Sequence, residues 1–336
     1  MKNEVTTIGD SLKDIFVFPD PDEMHKPITN RILHERESNR YLLLGYGEKI
    51  TISNIQHEIG GSACNVAVGL AKTGLKTAIF SAVGQDSEGE GIISQLKKQK
   101  VETGLIQKDK SKKTSFSIII SFEGERSILV FHSFRPEDFT LPEKIESDWI
   151  YIGPVGENYK SLYNELTSRA AQSNIKIAIN PGSEQIKDGI HAFGGLLRVA
   201  KILFLNKEEA QRLADIPGVA TVKEIVRVLQ KTGIETIVIT DGKNGAYVAT
   251  ESEFYKTGIY PGERVESTGA GDAFASGFLA ATINGEKLFD CLRWGAVNSA
   301  SVIEKVGAKE GLLNITNIKR RAADHRWPAE SLRFSR

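Results

Sequence analysis

The sequence predicts an α/β protein: a three-layer α/β/α sandwich with a mostly parallel central sheet, plus a small β-sheet lid. Two observations predict it. Short β-rich runs alternate with helical patterns along most of the 336 residues. That order is the order of βαβ units, which build a parallel sheet covered by helices on both faces. Two segments, about 19–59 and 115–131, break the rhythm and carry β-like pieces with no helix between them. They fit no βαβ unit and read as a separate small sheet over the main one. A single domain spanning 1–336 is expected.

The elements follow in order. Residues 5–8 read as a strand that opens into Gly9-Asp10-Ser11-Leu12-Lys13-Asp14. The first lid segment starts with FPDPDEMHKP and holds β-like pieces at 41–44 and 49–55. Residues 64–72 have helical spacing, 77–82 (TAIFSA) form a strand, and 91–99 are amphipathic. Residues 115–121 and 127–131 flank Glu123-Gly124-Glu125, a hairpin-like turn. Strands follow at 149–152, 175–179, 202–205 and 236–240, separated by helical stretches at 159–173, 207–213 and 222–232. The tail from 322 to 336 is polar, with Trp327 and Phe334 as aromatic anchors.

Composition excludes several classes. Lys plus Arg equal Asp plus Glu at 43 each, so no excess charge points to nucleic acid or an anionic membrane. No run approaches the roughly 20 apolar residues of a membrane span. The N-terminus lacks the pattern of a secretory signal. The two cysteines, Cys64 and Cys291, read as buried thiols, and no Cys/His cluster has zinc spacing. A reduced, cytoplasmic setting is expected.

The chemistry concentrates in residues 265–281, VESTGAGDAFASGFLAA. Glycines let the backbone turn sharply, and the helix that follows offers unpaired N–H groups to an anion. There is no GxxxxGK[ST] in the chain, so this is not a Walker loop. Asp272 opens the helix. From this segment alone it reads equally as a helix cap or as a base that takes a hydroxyl proton.

Thr268-Gly269-Ala270-Gly271-Asp272 and the following AFASGF resemble the C-terminal signature of the PfkB, or ribokinase-like, carbohydrate kinases. Gly60-Gly61-Ser62-Ala63-Cys64-Asn65 resembles their N-terminal GGxxxN signature, about 200 residues earlier and in the order the family requires. The resemblance implies ATP-dependent phosphoryl transfer to a hydroxyl, with Asp272 as base and the backbone of Gly269, Ala270 and Gly271 as anion hole. Asn206 and Glu209, in NKEE after a strand, match the family's NxxE motif and would help place Mg²⁺ and the ATP phosphates through water. Thr240, Gly242 and Gly245 match its TxGxxG nucleotide loop. The same segment, TDGKNG, is also good turn chemistry. Asn298 matches a position that lines the adenosine pocket. Glu266 stands where relatives most often carry an Asp beside a monovalent cation. It implies a K⁺ site shared with Thr268 and the loop carrying Val302, Lys305 and Gly307.

The acceptor is less defined. Asp14 has the spacing of the family's sugar-binding aspartate, and a carboxylate accepts from two adjacent hydroxyls; Asp10 is an equally good turn former. Gly60, Gly61 and Asn65 would complete that wall. Leu12 and Ser62 depart from ribokinase itself, which has Asn and Lys there. GERSILVFHSFRP resembles instead the stretch of fructokinase and ketodeoxygluconate kinase that faces substrate, so Arg135 is a candidate for binding a carboxylate or phosphate. A sugar acceptor leads. A nucleoside, with an apolar shelf at residues 41–46, is the alternative, and a non-catalytic sugar-binding relative is the third reading. The family implies a homodimer formed through the lid.

Overall fold

The structure is a computed structural model that describes residues 2–24, 32–36, 39–42, 44–45, 47–123, 125–324, 327 and 329–332. Its first half contains strands β1 (Asn3–Ile8), β2 (Leu12–Pro19), β3 (Ile32–Arg36), β4 (Asn39–Leu42), β5 (Ile52–Gly60), β6 (Thr77–Gly84), β7 (Ile106–Asp109), β8 (Ser115–Phe122) and β9 (Glu125–Phe131). Helices α1 (Pro21–Met24), α2 (Ser62–Lys72) and α3 (Ser87–Lys98) lie among them. The second half contains β10 (Ser147–Ile152), α4 (Lys160–Gln172), β11 (Lys176–Ile179), α5 (Ser183–Asp188), α6 (Gly194–Val199), β12 (Ile202–Asn206), α7 (Lys207–Leu213), α8 (Val222–Gln230) and β13 (Thr236–Thr240). It ends with β14 (Ala246–Ala249), β15 (Phe254–Thr257), α9 (Ala270–Ile283), α10 (Leu288–Ile303), α11 (Ile315–Ala322) and β16 (Ala329–Leu332).

The central sheet has ten strands in the order β16-β15-β14-β13-β12-β11-β10-β1-β6-β7. From β7 to β13 every neighbouring pair is parallel, and the β14–β16 edge is antiparallel. Strands such as TAIFSAVG are buried along their whole length, as parallel strands covered on both faces must be. One face packs Ile150, Ile179, Leu203 and Ile239 against α4 to α8. The other packs Tyr151, Phe204 and Val238 against α2, α9 and α10. The three expected layers are therefore present.

A second sheet, in the order β5-β2-β8-β9, forms the lid. The 115–131 hairpin supplies β8 and β9 as expected, although Gly124 of its turn lies outside the described residues. The first lid segment supplies β5, together with a separate β3–β4 pair. One assignment changes. The stretch after the first strand is only briefly a turn, because Leu12–Pro19 pairs with both β5 and β8 and is a central lid strand. Asp14 therefore sits within a strand, not in a turn. The tail also acquires a role: β16 extends the main sheet, and Trp327 is buried against Tyr260. Phe334 lies outside the described residues.

Candidate active site

Asp272 is held at the junction of the two sheets. Gly269 caps α9 in the left-handed conformation, φ +76°, and a Cβ there would collide with Ala308. Only glycine meets both conditions. The Ala270 N–H bonds the Ser267 carbonyl at 3.3 Å, which leaves Gly271 and Asp272 as the first-turn donors with no partner inside the helix. The Asp272 carboxylate does not cap its own helix. Its Oδ1 accepts from Ser62 Oγ at 2.5 Å and its Oδ2 accepts from Asn65 Nδ2 at 2.8 Å. Burial pushes its pKa up, against the lowering effect of these two donors and the nearby Lys309.

On the lid side, the inward face of β2 presents Asp14 directly opposite Glu58 on β5 and Ser117 on β8. Asp14 is 6% exposed and accepts a hydrogen bond from Ser117 Oγ. Burial raises its pKa, and the nearby Asp272 adds to the rise. A Cβ on Gly60 would overlap the Asp14 carboxylate, so the close approach of α2's entry to β2 requires glycine there. Gly61 is the N-cap of α2, φ +95°, and α2 then carries Ser62 and Asn65 to Asp272. The structure thus gathers Asp14, Gly60, Gly61, Asn65 and Asp272. Asp10 pairs instead with His132, whose Nδ1 lies 3.2 Å from its carboxylate; that hydrogen bond raises the imidazole pKa. Arg135 has an exposed side chain and caps the short 3₁₀ turn Pro136–Asp138 through its backbone N–H, bonded to Asp138 at 2.8 Å.

Beyond α9 lies a cavity of about 490 Å³ lined by Thr240, Gly242, Gly245, Gly271, Ala296 and Ser299, among others. Thr240 ends β13, at the carboxyl edge of the parallel strands where open α/β sheets bind ligands. Asn206 ends the neighbouring β12 and forms a capping box with Glu209: its Oδ1 accepts from the Glu209 N–H at 2.8 Å, and its own N–H donates to Glu209 Oε2 at 2.9 Å. Burial raises the Glu209 pKa. Asn298 is fully buried behind the cavity wall. Its Nδ2 bonds the Ala273 carbonyl at 2.8 Å and its Oδ1 accepts from the Leu313 N–H at 3.0 Å, so it pins α10 to α9 while its neighbour Ser299 faces the cavity.

Glu266 is 7% exposed, and its Oε1 accepts from the Thr268 N–H and hydroxyl at 2.7 and 2.5 Å. Its Oε2 is buried with no hydrogen-bond partner. The loop after α10 runs alongside: the Ile303 carbonyl accepts from Val265 N–H at 2.8 Å, and the Val302 carbonyl from Lys305 N–H at 3.1 Å. Gly307 is buried next to Glu58 while Lys305 is exposed. An orphaned buried carboxylate oxygen suits a cation. Among the described residues no cluster of three or more His, Cys, Asp or Glu could hold a metal unaided.

Comparison with known proteins decides the family. Residues 29–315 match the pfkB family carbohydrate kinase. The chain belongs to that family. This PfkB kinase is 23% identical over 280 residues to the nucleoside kinase of Methanocaldococcus jannaschii, covering 82% of this chain and 89% of that protein. The crystal structure of that kinase superposes with a TM-score of 0.77 at 19% identity over 96% of this chain and 99% of the other. The Haemophilus influenzae ribokinase is 27% identical over 283 residues, 79% of this chain and 88% of that one. A putative ribokinase II from E. coli, solved with ATP and Mg²⁺, superposes with a TM-score of 0.76 at 17% identity, over 95% and 98% of the two chains. The expected ribokinase-like fold is therefore shown, and the protein is a phosphotransferase of the sugar and nucleoside kinase group. No helix among the described residues is long and apolar enough to cross a membrane.

The PfkB signatures did not reveal every residue of the site. Ser62, noted in the sequence only as a departure from ribokinase, donates to Asp272. Ser117 and Glu58 flank Asp14 only because three lid strands align. Arg126, at the lid tip, donates from Nη1 to Ser267 Oγ at 2.5 Å and lies 3.8 Å from Glu266 Oε1. Lys309 is buried among Glu58, Ile59 and Asn65. Strand alternation could have pointed to Ser117; no local pattern pointed to Glu58 or Lys309.

Proposed function

We propose that this PfkB kinase transfers the terminal phosphoryl group of ATP to a hydroxyl of a sugar. The observation that carries the reading is the position of Asp272. Its helix start lines the nucleotide cavity at Gly271, and its carboxylate bonds Ser62 and Asn65 on the acceptor side. In this reading Asp14 and Asn65 hold acceptor hydroxyls, and Asp272 accepts the proton of the attacking hydroxyl. The acceptor oxygen bonds to phosphorus as the bond to the leaving ADP oxygen breaks. The N–H groups at the start of α9, Gly271 among them, receive the charge that spreads over the transferring oxygens. Thr240, Gly242 and Gly245 hold the nucleotide. Asn206 and Glu209 would hold Mg²⁺ through water, and the ion would neutralise charge on the phosphates. The orphaned Glu266 oxygen, Thr268 and the loop of Val302, Lys305 and Gly307 would hold K⁺.

A nucleoside acceptor is the second reading, favoured by the similarity to the M. jannaschii nucleoside kinase. Its expected shelf at residues 41–46 includes Tyr46 and the Tyr41 side chain, which lie outside what the structure describes. A homodimer formed through the lid sheet completes the proposal.

The test is release of ADP from ATP and Mg²⁺, with K⁺ or Li⁺, against ribose, fructose, ketodeoxygluconate, fructose phosphates and nucleosides. A sugar should stimulate release, and K⁺ should support it better than Li⁺. Asp272→Asn should lower kcat by about 10²–10⁴-fold, the usual contribution of a general base, with ATP binding retained. Stimulation by nucleosides alone would favour the second reading, and no stimulation by any acceptor would sink both.

A further inference from the structure

Lys309 lies on the loop after α10 with 9% of its surface exposed. Its ammonium meets three groups of the site at once, two on β5 and one on α2. It donates to the Ile59 carbonyl, to Asn65 Oδ1 at 3.1 Å, and lies 3.5 Å from Glu58 Oε2. An ammonium has three protons to give and no acceptor. The Asn65 amide oxygen must therefore face Lys309, which turns the amide NH₂ toward Asp272, where it donates to Oδ2 at 2.8 Å. Ser62 holds the other carboxylate oxygen at 2.5 Å. The contacts to Glu58 and Ile59 tie the same lysine to the end of β5, the strand that pairs with Asp14.

We propose that Lys309 is a positioning residue for phosphoryl transfer: by fixing the Asn65 amide, it aims the Asp272 carboxylate at the acceptor hydroxyl. The proposal rests on the kinase reading above. It differs from a purely structural role for a buried ion pair, because its effect passes through Asn65.

The experiment compares wild type, Lys309→Met, Asn65→Ala and the double variant. Lys309→Met should lower kcat on the order of tenfold to a hundredfold, the scale of a small misplacement of reacting groups. KM for ATP should stay within about twofold of wild type, far short of that scale. In the Asn65→Ala background the same change should cost little more, because the path it uses is already gone. Multiplying effects, or an unchanged kcat in Lys309→Met, would overturn the proposal. Should Lys309→Met not fold, Lys309→Gln, which keeps a donor one bond shorter, carries the same comparison and should retain more turnover than Asn65→Ala. A second readout needs no acceptor. The side-chain amide signal of Asn65 in ¹⁵N-asparagine-labelled protein, assigned by its loss in Asn65→Ala, should move in the Lys309 variant and in Asp272→Asn. A signal unmoved by the Lys309 change sinks the positioning role. Absence of acceptor-dependent ADP release in wild type sinks the kinase reading instead, so the two failures are distinct.

Discussion

Asp14, Glu58 and Asp272 each carry a carboxyl whose pKa burial raises. Such a group holds its proton more tightly in the folded than in the unfolded chain. The stabilisation it allows is present at low pH and is lost as the pH rises through the raised folded value. At neutral pH these charges work against the fold, which keeps them for function. Asp14→Asn should therefore raise Tm at neutral pH, with the difference from wild type shrinking as the pH falls through the raised folded value and gone by about 4, the ordinary carboxylate range. The same variant should raise KM for the acceptor about tenfold or more, the loss of one good charged hydrogen bond. A Tm that falls at pH 7 would mean that the Ser117 hydrogen bond and the nearby Lys309 charge outweigh burial. Asp14 and Asp272 were legible in the sequence because each sits at a fixed offset from a glycine turn. Lys309 was not. Its partner Asn65 is 244 residues away, and a lysine after a helix reads as a surface charge until the fold closes around it.

The pairing of helices α2 and α9 turns these residues into a site. Gly69 on α2 faces Ser276 on α9 so closely that a Cβ would collide with the serine side chain. This contact sets the distance from Ser62 and Asn65 to Asp272. Gly69→Ala should overpack the interface by about 1–3 kcal/mol, lowering Tm by a few degrees, and it should lower kcat more than it changes KM for ATP. Unchanged kcat with lowered Tm would show that the helix start tolerates the shift. At this scale the strand–helix alternation carried most of the sheet, since period and length separate buried strands from amphipathic helices. β2 was missed for a physical reason. LKDIFVFP alternates as a half-buried strand does, but its partners come from residues 52–60 and 115–120, and no turn signal next to it announces either. The short β14–β16 edge has the same character: four-residue strands gain their identity from neighbours already in place.

The lid has two faces with different chemistry, because successive residues of a strand alternate sides. Its inward face carries Asp14, Glu58 and Ser117 over the acceptor site. Its outward face aligns Phe116 with Phe131, Ile118 with Leu129 and Ile15, and Val17 with Ile55. Leu129 is 58% exposed and Phe131 44%. A contiguous apolar strip on a sheet face is a common interaction surface, and a second copy of the same strip is its natural complement under twofold symmetry. A homodimer through this face would also stiffen the strands that carry Asp14. The wild-type chain should then run in light scattering at about twice 36.9 kDa. Leu129→Asp together with Phe131→Asp should give the monomer mass and raise KM for the acceptor, because a lid freed from its partner positions Asp14 less well. KM for ATP should change less, since Thr240, Gly242 and Gly245 belong to the main sheet and its edge loop. A wild-type chain that runs at the monomer mass at assay concentrations would rule out the dimer, and a monomeric variant with unchanged acceptor KM would separate assembly from lid positioning.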